Sequence, residues 1–376
     1  MTSGVPSDLT TASVCPKTKI SSSRFREPLD RRLVLREEDH RAAEDLFLAG
    51  IADTKAMLLF RKSHKLTDRL LAHDARRLTD LWRAGFFTRI DQKLALLKGS
   101  TVRLYAFETG KAQLAYETRT HHLKITDAEW ERIQKEASPL RRNALEYLAG
   151  RGFPVELVES RIESNADALI RFYSGEPSQV PHRVLGSHAL AILWYGARAR
   201  GIPVTHRRPD GDLVFTAKFE NGDMKIKPDC FFCLGSTGIA LETETGSAGR
   251  AKVTNKIKAY LALFKDGLAK IKACTDAPEM TAFCVLFYTG THAHARLIED
   301  LLSAEKDAGT RFFRVVTAAN MGLDRTAGGA EITREGLTTN AVLDGLPVVT
   351  YLRDRIDANI FRQKAANGFH AFPLLG

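Results

Sequence analysis

Three carboxylates between residues 229 and 244 have the types and spacing needed to hold a divalent metal ion. Asp229 follows Pro228 at the start of one predicted strand, and Glu242 and Glu244 lie near the end of the next. Residues two apart on a strand point to the same face, so the two glutamates share a side. Carboxylate oxygens are the ligands that Mg²⁺ and Mn²⁺ prefer. Asp229, Glu242 and Glu244 are therefore predicted metal ligands for hydrolysis of a phosphodiester.

A predicted helix over residues 250–269 adds a lysine and a tyrosine to this set. Lys256 and Tyr260 lie four residues apart and so share one helical face. A lysine at this place can position water or offset the charge of a phosphate, and Tyr260 is predicted to orient Lys256 or the backbone. Each residue also has an ordinary role open to it in a turn, an exposed strand, a solvated helix face or the core. The order of all of them on consecutive elements favours catalytic roles.

The turn before this helix reads Gly-Ser-Ala-Gly over residues 246–249, and Arg250 and Lys252 follow it. The backbone N–H groups of such a turn could receive a DNA phosphate, or the turn could simply join a strand to a helix. No Gly-Lys-Ser/Thr follows, which excludes a nucleoside triphosphatase of the P-loop type. Arg250 and Lys252 are predicted to contact DNA.

The elements that must position these residues follow a helix–strand order from residue 181 onward. Predicted helices cover 184–200, 250–269, 294–305 and 351–363, and predicted strands cover 213–219, 225–233, 239–243, 281–288 and 312–316. Strands interleaved with helices predict a small mixed sheet with helices on its faces. The predicted fold class is therefore α/β (α+β), and residues 181–376 form one predicted domain with a C-terminal extension.

Residues 41–120 predict a separate DNA-binding unit of the winged helix type. A helix is predicted at 40–61, then two short helices at 66–72 and 74–83 around a turn at His73-Asp74, and then a hairpin of strands 101–107 and 112–116. Residues 61–100 hold ten Lys or Arg against four Asp. The predicted DNA contacts in this segment are Arg69, Arg76, Arg77, Arg83 and Arg89. The alternative is that they form a solvated face or pair with the neighbouring aspartates. Residues 1–40 are predicted to be a flexible basic arm, and 121–180 a helical connector.

Composition agrees with a nucleic-acid partner. The chain has 376 residues, a formal net charge of +10 and a pI of about 9.4. Such a basic excess favours double-stranded DNA as the partner, although a basic ordinary enzyme would share it. No stretch is long and apolar enough to cross a membrane or to serve as a secretory signal. The odd number of cysteines predicts a reducing, cytoplasmic location, and Cys230 and Cys233 are predicted core thiols rather than zinc ligands.

These residues resemble the PD-(D/E)xK nuclease motif. Pro228-Asp229, then Glu242-Thr243-Glu244, and then a helix with Lys256 follow the order of that motif. The resemblance implies a restriction-endonuclease-like αβββαβ domain that uses Mg²⁺ or Mn²⁺. The chain departs from the motif at Glu244, where the family usually has lysine. The resemblance then implies that Lys256 supplies the missing lysine from the following helix.

A narrower resemblance includes the N-terminal half. A predicted winged helix ahead of the segments KPD, ALETETG and NKIKAY resembles the replication-relaxation family and is similar to MobC-type relaxases. This implies a DNA endonuclease or nickase acting in mobilisation (conjugative transfer) or replication of a plasmid or integrative element. Its implied partners are an origin of transfer or replication and other relaxosome proteins or a coupling protein. His182 matches a recurrent family histidine, for which helix capping or core packing is the predicted role.

Two other functional classes stay open at this point. One is a catalytically inactive relaxosome or replication accessory protein that binds DNA through a nuclease-like fold. The other is a transcriptional regulator whose second domain senses a different signal. Metal-dependent nicking would indicate the nuclease, and binding of origin DNA without nicking would indicate the accessory protein. Binding of an operator alone would indicate the regulator.

Overall fold

The chain folds as a mixed α/β protein, as the helix–strand order predicted. We describe it from a computed structural model, which covers residues 33–61, 68–93, 101–119, 125–198, 201–219 and 222–317. The predicted arm up to residue 32 and everything beyond 317, including the predicted helix at 351–363, lie outside the described residues. Among the helices that are described, none combines the length and the apolar character that a membrane span requires.

The first half of the chain combines six helices with a small antiparallel sheet in the described residues. In chain order the elements are α1 (Glu37–Ala49), β1 (Ile51–Asp53), α2 (Thr54–Arg61), α3 (Asp68–Arg83), β2 (Thr88–Lys93), β3 (Thr101–Ala106), α4 (Lys111–Arg119), α5 (Asp127–Gly150) and α6 (Val155–Tyr173). The three strands pair in the order β1-β3-β2. The register places Ala52 opposite Tyr105 and Ile90 opposite Leu104.

The single helix predicted at residues 40–61 is wrong, because Gly50 divides it. Gly50 has a φ of +88°, a conformation that favours glycine, and the chain then enters β1. Arg161 of α6 fixes this end of α1, since its guanidinium donates to the carbonyls of Phe47 and Leu48 at 2.9 and 2.8 Å. These contacts satisfy carbonyls that a helix end leaves without partners.

The predicted turn at His73-Asp74 is also absent, because α3 runs unbroken through both residues. Asp74 is buried within the helix, and the buried guanidinium of Arg61 lies 3.7 Å from its carboxylate. Arg61 also pairs with Asp39 of α1 at 3.1 Å. A buried charge is tolerable when it is paired, so this ionic cluster ties α1, α2 and α3 together.

The strand predicted at residues 112–116 is a helix, α4. Glu108 begins it, because its carboxylate accepts the backbone N–H groups of Gly110 and Ala112 at 2.7 and 3.4 Å. An acidic side chain at this end of a helix is favourable. The hairpin partner of β3 is therefore β2, and the residues that join the two strands, 94–100, lie outside the described part.

The second half carries a five-stranded sheet with helices on both faces. Its described elements are α7 (Val180–Arg198), β4 (Val204–Pro209), β5 (Phe215–Phe219), β6 (Gly222–Ile226), β7 (Cys230–Leu234), β8 (Thr237–Glu244), α8 (Arg250–Lys265), α9 (Leu268–Thr275), β9 (Ala282–Thr289), α10 (His292–Ala304), a short 3₁₀ helix (Ala308–Phe312) and β10 (Phe313–Thr317). The strand order is β10-β9-β8-β7-β4. β4, β7 and β8 are antiparallel neighbours, whereas β9 and β10 run parallel to β8.

Two predicted elements of this half are each divided in the structure. The strand predicted at 225–233 becomes β6 and β7, which separate around Pro228, a residue that cannot donate to a strand ladder. The helix predicted at 250–269 ends at Lys265, and Gly267, with a φ of +83°, begins the turn into α9. Strand β4 was not predicted.

Helix α7 joins the two halves into one packed body. It packs against α1, α2 and β1 on one side and against β8 and β9 on the other. Trp194 of α7 is fully buried, and its ring centroid lies 6.0 Å from that of Phe60 and 5.8 Å from that of Phe232. Truncating a buried tryptophan to alanine typically costs about 3–5 kcal/mol, so this one side chain contributes substantially to holding the halves together.

Candidate active site

The three predicted carboxylates lie at neighbouring ends of β7 and β8, with Asp229 just before β7 and both glutamates at the end of β8. The N–H of Asp229 donates to Leu241 O at 3.0 Å and extends the ladder between the strands. Its side chain bends back, and Oδ2 accepts the N–H of Thr243 at 2.6 Å. Alternation along β8 places Glu242 and Glu244 on the face that α8 covers, because Ala240 packs in the same hydrophobic cluster as residues of α8.

Helix α8 brings Lys256 and Tyr260 onto the two glutamates, as the four-residue spacing predicted. The Lys256 ammonium lies 2.8 Å from Glu242 Oε2 and 2.8 Å from Glu244 Oε1. The buried Tyr260 hydroxyl donates to Glu242 Oε1 at 2.5 Å. Tyr260 therefore orients Glu242 rather than Lys256. The two helix residues are linked only through the Glu242 carboxylate, which both of them contact.

Two histidines complete the cluster. His182 Nε2 lies 3.1 Å from Asp229 Oδ1, and His294 Nε2 lies 3.8 Å from Glu244 Oε2. His182 comes from the first turn of α7, and His294 from the first turn of α10. The sequence predicted capping or packing for His182 and gave no site role to His294. Both contacts join residues that are far apart in the sequence, and no local spacing signals them.

The pKa values of two carboxylates in the site are shifted in opposite directions, that of Glu242 upward and that of Asp229 downward. Burial raises the pKa of Glu242 to about 7, against the opposing effects of Lys256 and Tyr260. Burial also works to raise the pKa of Asp229, but the hydrogen bond and charge of His182, together with Lys256, hold it below its ordinary value. The pKa of Lys256 is raised, because the surrounding carboxylates outweigh its loss of hydration. Glu242 therefore has a pKa near 7, whereas the lowered pKa of Asp229 keeps that carboxylate ionised.

The site opens to solvent on the side of Asp229. The side chains of His182, Asp229 and Lys256 are 30, 23 and 21 % exposed, whereas those of Glu242 and Glu244 are nearly buried. A ligand would therefore meet Asp229 and Lys256 first, with the glutamates behind them.

The donor set suits a divalent cation that is shared with a substrate. The carboxylates supply hard oxygen atoms, and Mg²⁺ commonly uses one or two protein carboxylates together with water and phosphate. Within the described ranges, no three His, Cys, Asp or Glu side chains are gathered closely enough to hold an ion by themselves. The ammonium of Lys256 instead lies between the two glutamates. The residue types suit an ion site, but an ion there would need water or phosphate oxygens among its ligands and a shift of the Lys256 ammonium.

Some of the basic residues predicted to bind DNA are exposed, whereas others are buried against partners within the protein. Arg76 on α3 and both Arg250 and Lys252 at the start of α8 are exposed. Arg77 is largely buried and donates to Asp39 Oδ2 at 2.6 Å. Arg89 is also buried, and its guanidinium carbon lies 3.7 Å from the centroid of the Trp82 ring.

This burial contradicts the predicted DNA contact of Arg89, since a guanidinium stacked in the core cannot reach a phosphate. Arg77 is committed to Asp39 and has a structural role. Arg83 is half-buried at the end of α3, and the side chain of Arg69, on the first turn of α3, lies outside the described part of the chain.

The two cysteines of the CxxC sequence are buried on opposite faces of β7, as predicted for core thiols. Cys230 packs in the cluster that contains α7, and Cys233 packs in the one that contains α8. Burial raises the pKa of each thiol to about 12. Thiols that point to opposite faces cannot form one half of a zinc site.

The chain was compared with protein family models, with curated proteins and with solved structures. No family model, no curated protein and no solved structure matches it.

Proposed function

We propose that this chain is a DNA-binding protein whose second half is a metal-dependent DNA endonuclease or nickase. The observation that carries the proposal is the contact of one ammonium, that of Lys256, with two nearly buried carboxylates, Glu242 and Glu244, beside a third, Asp229. One lysine cannot balance three ionised carboxylates. Burial is the largest cause of the raised pKa of Glu242, and the charge of Asp229 adds to it. A divalent cation shared with a phosphodiester would supply further positive charge beside these carboxylates.

The order of elements around the site supports the nuclease class. The elements α7, β4, β7, β8, α8 and β9 follow the αβββαβ order of the restriction-endonuclease-like core, with β5 and β6 inserted as a separate hairpin. The three leading strands are antiparallel, and β9 joins β8 in parallel. In this arrangement Asp229 precedes the second core strand and Glu242 lies near the end of the third, as the PD-(D/E)xK resemblance implies.

The first half supports DNA binding. The order α1-β1-α2-α3-β2-β3, with sheet order β1-β3-β2, supports the winged-helix interpretation. In such a unit α3 would be the recognition helix and the β2–β3 hairpin the wing. Among the described side chains of α3, Arg76 is exposed and could reach a phosphate or a base edge.

Each side chain of the site has a distinct role in this proposal. Asp229, Glu242 and Glu244 would hold Mg²⁺ or Mn²⁺. When bound, that ion would stabilise negative charge on the scissile phosphate and activate water. Lys256 supplies fixed positive charge at the solvent side, where a phosphate would approach. Tyr260 holds Glu242 in place through its hydroxyl, and Arg250 and Lys252 offer further contacts to the DNA backbone.

The resemblance to the replication-relaxation family and to MobC-type relaxases narrows the proposal to a biological role. That role is mobilisation by conjugative transfer, or replication, of a plasmid or integrative element. Its substrate would be an origin of transfer or replication, with relaxosome proteins or a coupling protein as partners. The proposed location is the cytoplasm.

The test is conversion of a supercoiled plasmid to open circle. The plasmid carries the DNA that flanks the gene for this chain, and Mn²⁺ is the added metal. We expect wild type to nick, and Asp229→Ala to stop nicking while leaving the gel shift of the same DNA unchanged. A wild type that shifts the DNA but leaves it supercoiled would refute the endonuclease.

A second function is favoured by one contact. Lys256 already forms ion pairs with both Glu242 and Glu244, which is the arrangement expected if an internal cation has replaced a metal. The chain would then be a catalytically inactive relaxosome or replication accessory protein that binds DNA. That function predicts DNA binding without nicking, and no change in either on removal of Mn²⁺ by a chelator.

A further inference from the structure

The contact between His182 and Asp229 has no role in the proposed nuclease as described so far. His182 Nε2 lies 3.1 Å from Asp229 Oδ1, and the Thr243 N–H bonds the other oxygen, Oδ2, at 2.6 Å. Each oxygen of Asp229 thus receives one donor, one from a side chain and one from the backbone. A carboxylate accepts about four hydrogen bonds, so both oxygens keep capacity for a ligand on the exposed side.

The backbone around His182 is built to keep this distance. The start of α7 is tied to α6, because the Ser178 hydroxyl donates to Ala168 O at 2.5 Å and accepts the Val180 N–H at 3.2 Å. One turn after His182, Gly186 lies against Thr243: a Cβ at that position would be 3.1 Å from Thr243 Oγ1. The helix that carries His182 therefore also contacts the residue whose N–H holds Asp229.

We propose that His182 is a positioning residue of the candidate site, which holds the Asp229 carboxylate in the orientation needed to bind a divalent cation. This inference rests on the proposed function, because it assigns a role within the same site. His182 and Thr243 act as two fixed donors on opposite oxygens, so the carboxylate cannot rotate without losing one of them. Partners of metal-binding side chains commonly fix those side chains in this way.

The structure offers a matched control on β4. His206 Nε2 pairs with Glu279 Oε1, and the His206 side chain is 24 % exposed, compared with 30 % for His182. Both are partly exposed histidine–carboxylate pairs, but His206 contributes no contact to Asp229, Glu242 or Glu244 among the described residues. If the His182 pair is only an ordinary surface pair, substitution of His182 and substitution of His206 should have the same small effect on metal binding. If His182 positions Asp229, only its substitution should weaken metal binding.

The experiment compares His182→Ala, His182→Gln and His206→Ala in the full chain. Mn²⁺ affinity is measured by isothermal titration, and plasmid nicking is measured against Mn²⁺ concentration. We expect His182→Ala to weaken Mn²⁺ binding about 10- to 100-fold, the usual effect of removing such a partner. The glutamine amide can still donate to Oδ1, so His182→Gln should restore affinity to within about threefold of wild type. His206→Ala should leave both readouts unchanged.

The outcomes separate this inference from the nuclease itself. If wild type binds Mn²⁺ but does not nick, the endonuclease fails, and the role of His182 is still decided by the affinities. If His182→Ala binds Mn²⁺ as tightly as His206→Ala does, the positioning role is refuted. A wild type that binds no Mn²⁺ refutes it too. Circular dichroism melting of the three variants confirms that each is folded, and the glutamine variant keeps the test decisive if alanine destabilises α7.

Discussion

The ammonium of Lys256 lies 2.8 Å from Oε2 of Glu242, a carboxylate whose side chain is 1 % exposed. A carboxylate this deep is costly unless a positive charge accompanies it. The same ammonium is shared with Glu244 at 2.8 Å. Lys256 therefore offsets the cost of burying the two glutamates. A cation that enters the site must compete with its ammonium for the same carboxylates.

Replacing Lys256 should destabilise the protein and make its stability depend on metal. Lys256→Met leaves Glu242 and Glu244 without their ammonium, and we expect a loss of about 2–4 kcal/mol, because Lys256 is partly exposed and the loss for a fully buried pair is about 3–5 kcal/mol. Mn²⁺ should restore part of the lost stability, since a ligand that binds only the folded state stabilises it. Urea denaturation with and without Mn²⁺ measures both effects.

The matched control is Lys252→Met, one turn earlier on the exposed side of α8. Its effect on stability should stay within about 0.5 kcal/mol, as for surface substitutions in general. Equal losses for the two variants would show that the ion pairs of Lys256 are not special.

Removing the hydroxyl of the buried Tyr260 should lower the stability of the protein more than removing the hydroxyl of the half-buried Tyr173. Tyr260 donates to a carboxylate at 2.5 Å, whereas the Tyr173 hydroxyl donates to the carbonyl of Ala112 at 2.6 Å. Hydrogen bonds to charged groups contribute about 1.5–3 kcal/mol and neutral ones about 1 kcal/mol. Thermal or urea unfolding of Tyr260→Phe and Tyr173→Phe should preserve that order, and a larger loss for Tyr173→Phe would contradict it.

Stability in the absence of metal should fall as pH rises towards neutrality, and Glu242 should account for the fall. Burial raises its pKa from the ordinary 4.5 to about 7. Between these values the folded chain holds a proton that the unfolded chain has released, so the contribution of Glu242 is complete below pH 4.5 and lost as pH passes 7. Asp229, whose pKa is lowered, acts in the opposite sense and at lower pH, below its ordinary 3.8.

Glu242→Gln removes the titrating group and should flatten this part of the stability curve. The expected difference across the window is at most about 3–4 kcal/mol, from about 1.4 kcal/mol per pH unit for one proton. The free energy of unfolding, measured at intervals from pH 4.5 to 8, provides the check. Parallel curves for wild type and variant would show that Glu242 titrates normally.

Arg76 and Arg77 are neighbours on α3 and should respond differently to the same substitution. Arg76 is exposed, whereas Arg77 is bound to Asp39 at 2.6 Å. Arg76→Ala should weaken DNA binding without affecting unfolding, and the slope of log affinity against log salt should fall by about 0.9 if one phosphate contact is lost. Arg77→Ala should lower stability and leave that slope unchanged. The reverse pattern would exclude α3 as the DNA-contacting helix in this orientation.

The acidic residues and the helix residues of the site could be predicted from sequence because their relationships are local. A two-residue spacing places Glu242 and Glu244 on one face of a strand, and a four-residue spacing does the same for Lys256 and Tyr260 on a helix. The contacts between the two elements are different. Which glutamate oxygen meets Tyr260, and that one ammonium serves both glutamates, depend on how α8 docks on the sheet.

His182 shows the limit most clearly. It lies 47 positions before Asp229, and only the packing of α7 around the strand ends brings the two within hydrogen-bond distance. Similarly, the errors in the first half arise where a distant partner overrides a local signal. The sequence predicts a turn at His73-Asp74, but the buried Arg61 pairs with Asp74 inside α3. Arg161 fixes the end of α1 from more than a hundred residues away.

The most direct test of the proposed metal site is anomalous diffraction from crystals of wild-type protein grown or soaked with Mn²⁺. We expect a single strong peak bounded by the carboxylates of Asp229, Glu242 and Glu244, with the Lys256 ammonium moved away from at least one glutamate. Asp229→Asn should abolish that peak under the same conditions. Crystals in which Lys256 still bonds both glutamates, and no Mn²⁺ lies within coordination distance of Asp229, would contradict the metal site on which the proposed nuclease depends.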